Sequence, residues 1–459
     1  MQEHPAHSRP ARAGLPVNRR TLLGTAGAAA LSAAAPGFAS AKGQAAAPRP
    51  AISVDPSRLP LIGDAEFPIG LWWPPPPFQT TQERYQEIAD AGFTFIITGN
   101  YLFADAHIQR YAMQMAEAAG IKVVADDDTM RWITHEFEVD DDGGQFTLTS
   151  AEARSKISAV LNQYGSSSFV GIDHYDEPAP DKFATLAQTV QINRELSPET
   201  LPYINLFPTT DPAYVRQFVD VVKPSLISFD RYPLLLDGDD ADFFLNWKII
   251  RDEGLRADLP TWCFIQTLAY SGHREPTAAE LLWQVNMSLA YGAKGIQYFT
   301  YWTPDPARGE GFGPALITTD GQRTERYDAS KNINLSWLSP VGRQLKPLVS
   351  ESVTHANDAP LPAGASEFTP DDHIRSVDGG AVVLGMFRTR EESNDRWLLV
   401  ANRDHSQPTS VRLRTDPRSV TDVSRFDPAT ESYVPEPGAR VTVDLEAGAA
   451  ALFRLGRRA

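Results

Sequence analysis

"FVGIDHYDEPAPDKFATLAQTVQINRELSPETLPYINLF", residues 169–207, sets a short apolar run at each end of a helix-like middle. The first run, 169–175, is too short and too β-branched for a helix, and it ends in charge at Asp176 and Glu177. Residues 181–196 carry apolar side chains at helical spacing, and 201–207 is apolar again. Strand, helix and strand in that order make a crossover, which joins parallel strands. Parallel strands are covered on both faces, which explains runs that are nearly continuous rather than alternating.

The same unit repeats outward in both directions. Strand-like runs fall at 67–73, 93–99, 121–126, 169–175, 201–207, 226–230, 260–266 and 294–302. Helix-like stretches lie between them around 80–91, 105–119, 150–163, 181–196, 212–222, 240–254 and 277–290, with another at 326–348. Thr80…Glu83, Thr149…Glu152 and Thr277…Glu280 have capping-box spacing, and Gly92, Gly120 and Gly292 stand where helices should stop. Eight such units predict an α/β fold of the (β/α)8 TIM barrel type. A doubly wound sheet would place a Gly-rich phosphate turn after its first strand, whereas this chain has "WWPPPP" there. From about residue 365 the texture changes to short runs such as "AVVLGMFRT" and "ARVTVDL", which predict a small antiparallel β-sandwich. The expected organisation is a leader at 1–41, a linker at 42–60, the barrel at 61–350, a second linker at 351–364 and the sandwich at 365–459.

The leader is read from "VNRRTLLGTAGAAALSAAAPGFASA", which has paired Arg19 and Arg20, a weakly apolar run and small residues for cleavage. This is the pattern of twin-arginine export, so a secreted or periplasmic location and the twin-arginine machinery as a partner are expected. The run is too short to span a bilayer, and no membrane anchor is expected once the leader is removed. Losing residues 1–41 removes four Arg and one Glu and deepens the net charge from −16 to −19. Such acidity disfavours nucleic acid and anionic lipid, and leaves a neutral ligand as the expectation. Cys263 is the single cysteine, which excludes an internal disulfide and a cysteine-based metal site. The histidines show no paired spacing, and neither a metal nor another cofactor is expected.

A barrel of this type keeps its chemistry at the C-terminal ends of the strands. Those exits supply Trp72 and Trp73 from the first strand, Asn100 after the second and Asp126 from the third. They supply Tyr175, Asp176 and Glu177 from the fourth, and Asp230 and Tyr232 from the sixth. Gln266 ends the seventh, and Tyr301 and Trp302 end the eighth. Carboxylates ringed by aromatics suit a sugar, whose C–H faces stack on rings and whose hydroxyls need carboxylate or amide partners. Breaking a glycosidic bond takes two carboxyl groups, one to protonate the leaving oxygen and one to act as nucleophile or base.

"GIDHYDEP" on the fourth strand resembles the acid/base strand of the clan A glycoside hydrolases, barrel enzymes that carry Asn-Glu there, often followed by Pro. Here the pair is Asp176-Glu177. "GAKGIQYFTYW" resembles the clan's last strand, in which a Trp lies beneath the sugar, and Trp302 matches it. The resemblance covers residues 60–350 and implies Glu177 as proton donor. It fails on the seventh strand, where the clan has a Glu nucleophile and this chain has Gln266. An amide cannot form a glycosyl ester, so a second carboxylate must come from elsewhere. Asp230 is the first candidate, with Asp176, Asp126 and Glu275 behind it. The expected function is hydrolysis of a neutral oligo- or polysaccharide. The alternative is a non-catalytic carbohydrate-binding barrel that kept the aromatic platform and lost the nucleophile.

Overall fold

The computed structural model describes residues 55–457 apart from 392 and 394, so the expected leader lies outside the described residues. Eight parallel strands close into a barrel in chain order: β1 Ile69–Trp72, β2 Phe95–Ile97, β3 Lys122–Asp126, β4 Phe169–Asp176, β5 Leu201–Leu206, β6 Ile227–Asp230, β7 Thr261–Gln266 and β8 Gly295–Phe299. β8 returns to β1 through Ile296 opposite Ile69, which completes the predicted fold. β5 is buried along its whole length, as a strand covered on both faces should be. Large rings fill the barrel interior, and two glycines make room for them. A Cβ at Gly70 would lie 2.2 Å from the Phe95 ring, and one at Gly295 would lie 2.7 Å from the Trp262 ring.

The helices follow the strands as α1 Gln82–Asp90, α2 Ala106–Ala118, α3 Ser150–Gln163, α4 Phe183–Leu196, α5 Pro212–Val222, α6 Phe243–Ala257, α7 Ala278–Ala290 and α8 Glu325–Ile333. Thr149 and Thr277 close complete capping boxes with Glu152 and Glu280. At α1 the cap is Thr81 rather than Thr80, whose hydroxyl instead meets the Tyr101 phenol at 2.5 Å. The last helical stretch is broken into three: α8 runs into a π turn, Asn334–Leu338, and then into Ser339–Leu345.

Two departures bear on the site. An extra helix, Asp128–Glu136, follows β3, where the sequence analysis placed no helix; Asp127 caps it by accepting from the backbone N–H groups of Thr129 and Met130. β8 stops at Phe299, three residues short of the predicted end at Trp302. Beyond it the chain runs beside the extension of β1, with the N–H groups of Tyr301 and Trp302 donating to the carbonyls of Trp72 and Trp73.

The C-terminal sandwich pairs a six-stranded antiparallel sheet with a three-stranded one. Its first strand, Val349–Ala356, occupies part of the stretch read as a linker and bonds to Val382–Arg388. The larger sheet is welded to the barrel's helical layer. Val383, Phe387, Leu399 and Leu452 join Phe243, Phe244, Trp283 and Tyr291 in one apolar cluster. Two bonds cross the seam, from Trp283 Nε1 to the Arg403 carbonyl and from Asn286 Nδ2 to the Gly448 carbonyl, each 2.9 Å. Among the described residues no helix is long and apolar enough to cross a membrane.

Candidate active site

The site begins inside the barrel, as a column of polar side chains on inward-facing strand positions. Tyr203 and Asn205, two apart on β5, point to the same side. The Tyr203 hydroxyl donates to Gln297 Oε1 at 2.9 Å, Gln297 Nε2 donates to Ser228 Oγ at 3.0 Å, and Ser228 Oγ donates to Asn205 Oδ1 at 2.9 Å. With its oxygen occupied by a donor, Asn205 must turn its amide nitrogen upward. There Nδ2 donates to Asp230 Oδ1 at 3.1 Å and to Asp176 Oδ1 at 3.4 Å. These two carboxylate oxygens therefore lie within 6.5 Å of each other, the sum of their distances from one nitrogen.

Glu177 completes the group. It leaves β4 with φ of +56°, a left-handed conformation that is uncommon for a residue with a Cβ. Its N–H donates to the Asn205 carbonyl at 2.9 Å, which fixes the turn. The residue is exposed at the mouth, and among the described residues no donor meets its carboxylate. Crowding by protein pushes its carboxyl up to about 7, with the Asp176 charge as the second cause. Asp230 is also raised well above the usual range, first by burial and then by the charges of Glu177 and Asp176, against which the Asn205 bond works. Asp176 is raised by burial, while Arg131 and Asn205 oppose the rise. Three carboxylates so close cannot all ionise freely, and they titrate as a group. Asn205 supports the anions of two of them, while Glu177 stands exposed with no donor on its carboxylate among the described residues.

An aromatic wall stands beside Asp230. Tyr232 stacks on Phe299 with centroids 5.1 Å apart, and Tyr270 meets Tyr232 edge-on at 5.8 Å and stacks on Phe312 at 5.6 Å. Arg231, which could have neutralised Asp230, pairs with Asp240 instead. Tyr175 is half-buried and stacks on the His135 ring at 3.6 Å. Across the mouth, Trp72 meets Phe264 edge-on at 5.9 Å, and the Arg308 guanidinium lies 4.5 Å over the Trp73 ring. Asn100 donates to the Pro74 carbonyl, and its Oδ1 is buried without a protein partner, as is Trp73 Nε1.

Four predicted site residues are not brought to the mouth. Asp126 is buried beneath it with both oxygens held by Arg131, at 3.2 and 3.0 Å; the same guanidinium reaches buried Asp173 at 3.2 Å. Gln266 is fully buried and clamps two loops: Nε2 donates to the carbonyls of Leu234, Leu268 and Arg274, and Oε1 accepts from the Leu234 N–H. Tyr301 and Trp302 turn outward because β8 ends early. The Tyr301 hydroxyl lies 3.5 Å from Glu87 on α1, and Trp302 packs under the Arg84 guanidinium. Phe299 takes the position at the mouth that Trp302 was expected to fill. Glu275, another candidate for the second carboxylate, pairs with Arg326. A cavity of about 560 Å³ lined by Arg251, Trp262 and Lys294 touches none of the three clustered carboxylates.

Asn205, Phe299 and the role of Arg131 escaped the sequence reading. A signal existed for Asn205, the one amide in an otherwise apolar strand and two residues from an inward tyrosine. Arg131 is visible in the sequence as a basic residue after the third strand, but its pairing with Asp126 was not, since its helix was not foreseen.

No protein-family model and no curated protein matches the chain. Among solved structures, the chain is similar to a β-galactosidase from the Antarctic haloarchaeon Halorubrum lacusprofundi, at 14% identity over 58% of this chain and 57% of that one, with a TM-score of 0.45. The chain thus spans little more than half of that protein's length. It is also similar to a GH27 β-L-arabinopyranosidase from Geobacillus stearothermophilus, at 9% identity over 86% of this chain and 98% of that one, with a TM-score of 0.47. A GH10 xylanase from Thermobacillus composti shares 14% identity over 60% of this chain and 99% of that one, with a TM-score of 0.42.

Proposed function

We propose that the protein is a glycoside hydrolase that cleaves O-glycosidic bonds in a neutral oligo- or polysaccharide outside the cytoplasm. The observation that carries this reading is Glu177, a carboxyl without a hydrogen-bond donor beside two carboxylates that share the Asn205 amide. In its acid form Glu177 gives its proton to the glycosidic oxygen as the C–O bond breaks. Asp230, in its anionic form, acts on the other side of the sugar as base or nucleophile. Asp176 lies beside both, and its charge adds to the burial that favours the protonated form of Glu177. Tyr232 and Phe299 offer ring faces to the sugar, and a net charge of −16 favours an uncharged substrate over a uronate polymer.

The test is reducing-end release across a panel of plant and microbial glycans, with Glu177→Gln and Asp230→Asn beside the parent protein. Removing the general acid should cost at least ~10²-fold on unactivated glycans and far less on activated aryl glycosides. Equal, small losses on both kinds of substrate would remove Glu177 from the role. Binding of a glycan without any bond cleavage by the parent protein would favour the non-catalytic barrel.

A further inference from the structure

Among the described residues every exposed aromatic side chain lies between positions 78 and 146. Phe78 is 79% exposed in the turn after β1, and Phe103 is 89% exposed after β2. Trp132 and Phe146, 45% and 59% exposed, both lie between β3 and α3, and Tyr111 is on α2. Phe78 and Phe103 are largely clear of the core, while the Trp132 ring meets Phe137 edge-on at 4.3 Å and lies 5.4 Å from the Lys156 ammonium; several exposed rings on neighbouring barrel loops mark a place where something binds.

The rim runs into the mouth. β3 bonds to β4 through Asp126 opposite Asp173. The helix that carries Trp132 also carries His135, which stacks on Tyr175 next to Asp176. The loops after β1, β2 and β3 leave the same end of the barrel as Glu177. Charge narrows the occupant. Residues 101–150 hold ten Asp and Glu against three Lys and Arg, which repels an anionic polymer or an anionic membrane. Flat rings in acidic surroundings suit an uncharged chain with stackable C–H faces.

We infer that the β1–β3 loops form a second, extended binding surface for a neutral polysaccharide chain, continuous with the candidate active site. The substrate is then a polymer held over several sugars, with the reacting bond near Glu177 and the rest of the chain laid along Trp132, Phe103 and Phe78. This rests on reading the mouth as a carbohydrate site, and it extends that reading from one sugar to a chain.

The test separates binding from cleavage. Full-length Glu177→Gln is run in native gels containing a soluble neutral polysaccharide (β-glucan, xylan, mannan, galactan or dextran), with pectate as the anionic control and anionic phospholipid vesicles in a parallel flotation assay. One of the neutral polymers should retard it. Adding Phe103→Ala and Trp132→Ala should weaken the retardation about tenfold, whereas Phe103→Tyr, which keeps a ring, should preserve it. Circular dichroism confirms that each variant is folded. Retardation that survives loss of both rings overturns the inference. So does retardation by pectate alone, binding to vesicles alone, or no retardation by any neutral polymer. Ring-dependent retardation combined with a parent protein that cleaves none of the polymers leaves the binding surface standing and removes the hydrolase reading.

Discussion

Replacing Glu177 by Gln should stabilise the protein, and only above the pH where its carboxyl would ionise. Gln imitates the protonated acid, so at low pH the two proteins carry the same group and should unfold alike. A carboxyl whose folded value is raised contributes stability below its unfolded value of 4.5 and loses it as the pH rises through about 7. The parent protein therefore weakens over that window, and the variant does not. For a fully shielded group, a rise from 4.5 to about 7 corresponds to ~3.4 kcal/mol, at about 1.36 kcal/mol for each tenfold. Glu177 is exposed, and solvent screening reduces this to about 1–2 kcal/mol. Thermal unfolding at pH 4.5, 6 and 8 reads the difference. The midpoints should coincide at pH 4.5 and diverge by about 1–3 °C at pH 8, with the variant higher. A variant that is less stable at pH 8, or stabilised equally at all three values, would refute the argument that Glu177 sits in a field unfavourable to its own charge.

Three further outcomes follow from the contacts around the site. Asn205→Leu removes the shared donor of Asp176 and Asp230, so the acid limb of the pH–rate profile should move up by about one pH unit; an unmoved limb would separate Asn205 from the reacting group. Gln266→Glu supplies the missing carboxylate on β7, yet it would face three carbonyls that now accept from Nε2. It should lower stability by about 2–5 kcal/mol in denaturant unfolding and raise activity on no glycan. His405 accepts a proton more readily than usual, chiefly through its bond to Asp239 at 2.9 Å, with Glu280 3.4 Å away. Its stabilising charge is present below about 6.5 and lost as the pH rises through its raised value. His405→Ala should therefore cost more stability at pH 6 than at pH 9.

The barrel was legible because it is built from repetition. Apolar runs of strand length, helices of amphipathic spacing and glycines at the stops recur often enough that an error in one does not change the count. The cluster of carboxylates was legible where charge breaks that pattern. Asp176 and Glu177 intrude at the end of an apolar strand, and Asp230 does the same on the sixth. What could not be read was direction. "KGIQYFTYW" offers three aromatics, and the choice of which faces the mouth depends on where β8 ends, a tertiary matter decided by its pairing with β1 and β7. Gln266 stands where a catalytic group was sought, but burial between two loops turns its amide to holding them. Asp126 looked like a sugar ligand until an unforeseen helix delivered Arg131 to it.

The seam between barrel and sandwich carries a consequence for how such a protein can change over time. Trp283 and Asn286 hold the sandwich from one face of α7, while Gln284 on the same helix grips both backbone groups of Gln266, at 2.8 and 3.1 Å. One helix thus fastens the C-terminal sheets and the end of β7. Cutting the gene near residue 350 would strip a shared apolar layer and loosen a strand that borders the mouth. The two parts must be inherited together, and they are poor cassettes for recombination. Among the described residues the loops after β1 to β3 carry no such bolt to the sandwich, so substitutions can accumulate there without loosening the seam.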